Sequence, residues 1–289
     1  MSKKSFKSFA AAGALAMSLL ALTACSSDSE PAANDDAAPA ECTPAAEFDT
    51  VVPGKLTVAG IQQLPGLDVD PVTNEVDGLD SVLLVGFAEA NCLEVDFQPL
   101  PGPAAVAAMT EGKADIGGGG WYRTPERGEV MGQTDPIWYD QLAVFANEEI
   151  SSIDDLQGKK VGIVGGAVFE APLTEAIGAN NVSLYQSIDA VFEDVIAGRI
   201  DAGMGAGATT TIQVAERGLD LTVSTIAPDA NYEKLTAPGE PNYPYTKSNT
   251  ALGEALNAYV QEKREDGTVA EKLAEYGVTG DITINGPQQ

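Results

Sequence analysis

Histidine is absent from all 289 residues. Its absence excludes Ser-His-Asp and Cys-His catalysis and, with them, histidine-ligated zinc. Basic residues are scarce, with 16 Lys and Arg against 43 Asp and Glu for a net charge of −27. A surface of that sign repels polyphosphates and anionic bilayers, so nucleic acid is excluded as a partner and the folded part has no electrostatic hold on a membrane. The apolar run Phe9 to Ala24 falls short of the roughly 20 residues a helix needs to cross a bilayer. The glycine run Gly117-Gly118-Gly119-Gly120 has neither the lysine of a phosphate-binding P-loop nor a Gly-x-Gly-x-x-Gly helix start. Neither a cofactor nor a metal is implied.

The amino terminus carries a pattern of its own. Lys3, Lys4 and Lys7 precede the apolar run, which ends in small residues immediately before Cys25, the order of an export signal. Leu22-Thr23-Ala24-Cys25 resembles the bacterial lipobox, in which the cysteine thiol takes a diacylglycerol and becomes the first mature residue. The expectation is a leader over 1–24 and a lipid anchor at Cys25, holding the protein on the outer face of the cell membrane through acyl chains alone. Ser, Asp, Pro and Ala dominate the residues that follow, and 25–50 is expected to be a disordered tether. With Cys25 lipidated, Cys42 and Cys92 remain as an even pair in an oxidising space. A disulfide between them is expected, the alternative being two free thiols.

From Val51 the composition is globular. Lys55 to Ala59 reads as a strand, and Leu79, Val82, Leu83, Phe87 and Ala90 form one helical stripe. A strand over 93–97, a small-residue helix over 104–109 and a strand from Ala114 complete a βαβαβ series, hence a parallel sheet. A second α/β series runs from Ser152 through the strand 160–164 and a helix with Ile188, Val191, Phe192, Val195 and Ile196 on one face. Each series holds a near-repeat, Glu111-Gly112-Lys113-Ala114-Asp115-Ile116-Gly117 and Ala197-Gly198-Arg199-Ile200-Asp201-Ala202-Gly203. In each, glycine ends a helix and a strand follows. The reading is two α/β lobes joined by a two-segment hinge. Lobe 1 spans 51–142 with 242–283, lobe 2 spans 143–241, and 284–289 is a tail. The crossings are placed in 141–148 and 242–247, with ligand between the lobes.

Several motifs in order give the chain a specific likeness. They are Gly78-Leu79-Asp80, Gly112-Lys113-Ala114-Asp115, Thr124-Pro125-Glu126-Arg127, Thr134-Asp135-Pro136, Asp155 to Gly162, Gly198 to Ala202 and Lys263 to Thr268. Together they resemble the polar amino acid-binding family of ABC-transporter solute-binding proteins, with the type II periplasmic-binding-protein fold. The resemblance implies a monomeric receptor that passes a small molecule to an ABC permease and ATPase.

By the same resemblance, Arg127 would fork onto a ligand carboxylate, an arrangement that gives two parallel charge-assisted hydrogen bonds. Gly120, at the end of the glycine run, and Leu64 would approach the ligand. The chain departs from the family where Ala167 and Val168 replace a pair of threonines, and where Ala206 replaces the aspartate that meets an α-ammonium. A buried ammonium without a partner is costly, so a zwitterionic ligand would need another anion, such as Glu170. Trp121, Tyr122, Trp138, Tyr139 and Phe169 offer aromatic walls instead, suited to an aromatic, heterocyclic or methylated-ammonium group. Two other readings are an enzyme of dehydratase type using Glu170 or Asp140, and a sensory ligand-binding module.

Overall fold

The computed structural model describes residues 42–287. The expected leader, Cys25 and the tether up to residue 41 lie outside the described residues.

The first stretch contains β1 (Lys55–Gly60), the short pair β2 (Asp68–Val69) and β3 (Val76–Asp77), and helix α1 (Asp80–Ala90). After these come β4 (Glu94–Pro99), α2 (Gly102–Thr110), β5 (Ile116–Gly118), β6 (Trp121–Tyr122), α3 (Pro125–Val130) and β7 (Gly132–Gln133). The second stretch holds β8 (Leu142–Ala146), β9 (Val161–Val164), α4 (Glu170–Ile177), β10 (Val182–Tyr185) and α5 (Ile188–Ile196). It continues through β11 (Ala202–Ala206), α6 (Gly207–Glu216), β12 (Thr222–Thr225) and α7 (Glu233–Thr236). The chain then returns through β13 (Pro241–Asn242) and β14 (Pro244–Tyr245) to α8 (Thr250–Glu265), α9 (Thr268–Glu275) and α10 (Asp281–Asn285).

Two five-stranded sheets result, ordered β4-β1-β5-β14-β7 and β10-β9-β11-β8-β12. In the first, β4, β1 and β5 are parallel and β14 runs against β5. In the second, β10, β9 and β11 are parallel and β8 runs against β11. This is the mixed α/β architecture of the sequence reading. Leu56 to Ala59 are all buried, as a strand covered on both faces requires. On one side of the first sheet Leu83, Leu84 and Phe87 of α1 pack with Leu252, Leu256 and Val260 of α8; on the other Ala105 and Met109 of α2 pack with Ala59. In lobe 2, Val191, Phe192 and Val195 of α5 cover Phe145, whereas Ile196, at the end of that helix, is exposed.

The near-repeat has one structural meaning in both lobes. Gly112 and Gly198 turn the chain at φ of 68° and 67°. Asp115 then donates its N–H to Thr57 O and accepts Thr57 N–H on its carboxylate at 2.8 Å. Asp201 does the same to Lys160, with the carboxylate accepting at 2.6 Å. Each aspartate thereby locks the central strand of its sheet to the next one.

Three boundaries differ from the sequence reading. Cys42 and Cys92 form a disulfide with Cα atoms 5.8 Å apart, Ala45 N–H bonds Ala90 O, and Phe48 stacks on Phe87 at 5.6 Å. Residues 42–50 therefore belong to lobe 1 and not to the tether, because the covalent bond and a buried ring hold them. The segment 141–148 is mostly strand β8, and 242–247 holds the end of β13 and all of β14. The crossing backbone lies just before them, where Asp140 and Gly239 exchange both N–H···O bonds at 2.8 and 2.9 Å. Finally, residue 284 lies inside α10, where its carbonyl accepts from Arg264, and Gly286 abuts the Tyr139 ring, so these are not a loose tail.

Candidate ligand-binding cleft

Between the lobes lies a cavity of about 440 Å³, walled by the carboxyl ends of strands from both sheets. Its lobe 1 wall begins with the glycine run. Gly119 has φ of 94°, and a Cβ there would sit 1.9 Å from Ile61 O, so only glycine lets the loop lie against the end of β1. Beneath the loop, Asp80 accepts Gly119 N–H at 2.8 Å and the Tyr243 hydroxyl at 2.8 Å. Burial outweighs these bonds and pushes the Asp80 carboxyl up to about 7.

The loop delivers Trp121 and Tyr122, and α3 follows at once. Thr124 caps that helix by accepting Arg127 N–H at 3.2 Å, with Pro125 at the first helical position. Arg127 thus lies in the first turn, where its guanidinium donates to Tyr122 O and sits 5.1 Å from the Trp121 ring centroid. It lines the cavity and has no carboxylate partner among the described residues. Partial burial pulls its pKa down, yet a guanidinium stays charged at neutral pH.

On lobe 2, the ends of β9 and β11 and the loop before α4 supply Ile163, Ala167, Val168, Phe169, Met204 and Ala206. Helix α6 adds Thr209, Thr210 and Gln213. Away from the hinge, Thr209 and Phe169 of lobe 2 reach lobe 1 across the cleft. The Thr209 hydroxyl donates to Leu64 O at 3.1 Å and accepts from Gln63 Nε2 at 3.0 Å. Phe169 meets Tyr122 edge-on at 6.4 Å. These contacts join the two walls of the cleft in the structure.

Of the residues expected at the ligand, Arg127, Tyr122, Trp121, Gly120, Val168, Phe169 and Ala206 line this one cavity. Leu64 does not line it; its carbonyl accepts from the hydroxyl of Thr209, which does. Trp138 does not line it. Its ring is 2% exposed in the lobe 1 core and lies behind Gly120, 3.2 Å from where a Cβ would be. Glu170 does not line it either. From the first residue of α4 its carboxylate folds back onto Gly166 N–H, in the preceding loop, at 2.6 Å. Glu170 therefore does not stand in for the missing aspartate. Asp140 is buried below the cavity, accepting from the Tyr122 hydroxyl and Ala208 N–H, and burial pushes it up to about 6. Those bonds tie the hinge to α6 and to β6.

Ile61, Gln63, Ile163, Ile188, Met204, Thr209, Thr210 and Gln213 were not expected and also line the cavity. Thr209, Thr210 and Gln213 had a signal in the sequence: they recur at helical spacing directly after the strand-ending Gly205-Ala206-Gly207. The lining holds no Asp, Glu or Lys. No cluster of three His, Cys, Asp or Glu that could hold a metal occurs among the described residues.

The family model for bacterial extracellular solute-binding proteins, family 3, matches residues 56–279. The chain belongs to this family. Among the relatives of this solute-binding protein, the "probable histidine-binding protein" of Neisseria gonorrhoeae is 26% identical over 275 residues, 92% of this chain and 94% of its own. The "probable amino-acid-binding protein YxeM" of Bacillus subtilis (strain 168) is 26% identical over 217 residues, 73% of this chain and 79% of its own. A solved structure of "the ancestral amino acid-binding protein AncCDT-1, a precursor of cyclohexadienyl dehydratase" superposes with a TM-score of 0.62 at 20% identity. It covers 77% of this solute-binding protein and 95% of its own chain. The fold is therefore the two-lobed type II periplasmic-binding-protein fold, and the curated relatives are named for binding amino acids. No helix among the described residues is long and apolar enough to cross a membrane.

Proposed function

We propose that this chain is the extracytoplasmic receptor of an ABC importer, tethered to the cell membrane by a lipid on Cys25 and monomeric. Its ligand is a small carboxylate with an aromatic or heterocyclic part. The observation that carries this reading is Arg127, a guanidinium without an acidic partner among the described residues, facing a cavity whose lining contains no carboxylate. An anion can take two charge-assisted bonds from that side chain. Tyr122 and Phe169 then offer ring faces and edges to an apolar group, while the Trp121 face is already covered by Arg127.

The relatives' names point to histidine and other amino acids, but a cationic side chain or a free α-ammonium would enter this cavity with no anion to meet it. The same shortage argues against a dehydratase. Asp140 is occupied by Tyr122 and Ala208, and Glu170 by Gly166, so no carboxylate is placed to move a substrate proton. Ligand bound to both lobes would favour the closed form, which an importer can tell from the open one.

The test is a thermal-shift panel on the purified mature protein, with native mass spectrometry to find any retained small molecule. Aromatic and heterocyclic carboxylates should raise the melting temperature, and arginine, lysine and histidine should not. Strong stabilisation by the cationic amino acids alone would defeat the ligand assignment. Conversion of the bound molecule during incubation would defeat the assignment as a receptor.

A further inference from the structure

One carboxyl group stands where the two lobes meet. Asp140 is 5% exposed and lies in the first crossing segment, where its backbone exchanges two hydrogen bonds with Gly239 of the second. Its two oxygens serve different lobes. Oδ2 accepts the Tyr122 hydroxyl at 2.8 Å, from β6 in the lobe 1 wall of the cavity, and Oδ1 accepts Ala208 N–H at 2.9 Å, from the first turn of α6 in lobe 2. The Tyr122 ring lies against Gly239, where a Cβ would fall 2.5 Å from Cε2, so one side chain touches the cavity and both crossing segments. The same helix α6 carries Thr209 to Gln63 and Leu64 on the far side of the cleft.

No cation answers this carboxylate among the described residues. From lobe 1 it meets Tyr122, since Arg123 is paired with Glu240, Arg127 reaches Tyr122 only at its carbonyl, and Tyr139 turns its ring to Gly286 and Arg264. Behind the hinge it lines a recess of about 90 Å³ with Gln141, Thr211, Thr225, Thr279 and Thr283, none of which titrates. Burial therefore outweighs the two donors and holds the carboxyl up at about 6. A rotation of one lobe against the other draws those donors apart, and water takes the place of the one that leaves. Hydration favours the ionised form, so the joined lobes bind this proton more tightly than the parted ones. We propose that Asp140 is the positioning residue of lobe closure, and that joining the lobes loads a proton onto its carboxyl group, so that acid favours the closed cleft and tightens the capture of ligand. The inference needs the two-lobed receptor but not the carboxylate assignment. With the parted group near its ordinary 3.9 and the joined one near 6, the ratio of joined to parted molecules rises as pH falls from 7 to 5, by up to about tenfold, and is flat above 7.

Small-angle X-ray scattering of the mature protein, dialysed free of small molecules, tests this with pH as the only variable. The wild-type radius of gyration should shrink between pH 7.5 and 5, as parted molecules become joined. Asp140→Asn stays neutral at every pH, still accepts Ala208 N–H, and turns its amide to the Tyr122 oxygen. Its radius at pH 7.5 should already be close to that of the wild type at pH 5, and should change little with pH beyond the relief of surface repulsion. Tyr122→Phe keeps the ring but removes a bond that stabilises the ionised form, so its contraction should have a midpoint at higher pH than the wild type's. Circular dichroism checks that each variant is folded. A wild-type radius that ignores pH, or a contraction of equal size in Asp140→Asn, would overturn the inference. So would a Tyr122→Phe midpoint that stays in place or moves to lower pH, a result that can be read even if the Asp140 variant does not fold.

Discussion

The buried carboxyl of Asp80 makes a quantitative prediction. It lies under the cavity wall, 1% exposed, and is pushed up to about 7 because burial outweighs the bonds from Tyr243 and Gly119. In the unfolded chain the same group ionises near its ordinary value, about 3.9. Between about pH 4 and 7 the folded protein therefore holds a proton that the unfolded chain has released, so stability falls as pH rises, and the loss is complete above the folded value. Three pH units at 1.36 kcal/mol each put the penalty at about 4 kcal/mol as an order of magnitude. Asp140, pushed up to about 6, acts with the same sign over a narrower window, and so does the general relief of acidic repulsion at low pH. Asp80→Asn isolates the one term, because the amide stays neutral and still accepts from Gly119. Chemical denaturation of the ligand-free protein at intervals from pH 4 to 8 should show the variant gaining on the wild type as pH rises, by about 4 kcal/mol across the range. A stability difference independent of pH would refute the reasoning.

Other outcomes follow from particular contacts. Reducing the Cys42–Cys92 bond frees residues separated by 50 positions and should cost about 4 kcal/mol by loop-closure entropy, measured by denaturation with and without reductant. Thr209→Val removes both cross-cleft hydrogen bonds and should weaken affinity for a stabilising carboxylate by roughly five- to thirtyfold through the closed form. An unchanged affinity would show that those bonds do not hold closure. Gly119→Ala forces a side chain onto Ile61 O at positive φ and should lower stability by at least about 1–3 kcal/mol, read in the same denaturation assay.

The parts of this protein legible in its sequence are those set by local pattern. The glycine-aspartate near-repeat announced two similar sheets, and Asp115 and Asp201 indeed make the same strand-locking bonds. Arg127 was expected at the ligand by the family likeness of its Thr-Pro-Glu-Arg motif, and that motif also holds the cap and the proline that set it in the first turn of α3. Apart from the expected disulfide, long-range contacts were not legible. Residues 42–50 are low in apolar content, and what fixes them besides that bond is remote in sequence, the Phe48 ring against Phe87 and the Ala45 and Ala46 N–H groups on Ala90 and Asn91. Trp138 differs from Trp121 in nothing local, yet one fills the lobe 1 core and the other the cavity wall. Glu170 was expected to reach the ligand, and the N–H of Gly166 in the loop before its own helix holds its carboxylate instead. Gln213 belongs to a helix that the motif reading left at Ala206.

The carboxylate anchor is tested most directly by titration calorimetry of the wild type and Arg127→Ala with a carboxylate that stabilises the wild type. The variant should lose about 2–5 kcal/mol of binding, at least a thirtyfold fall in affinity, while its circular dichroism and ligand-free melting stay as in the wild type. Equal affinity in the two proteins would contradict the account.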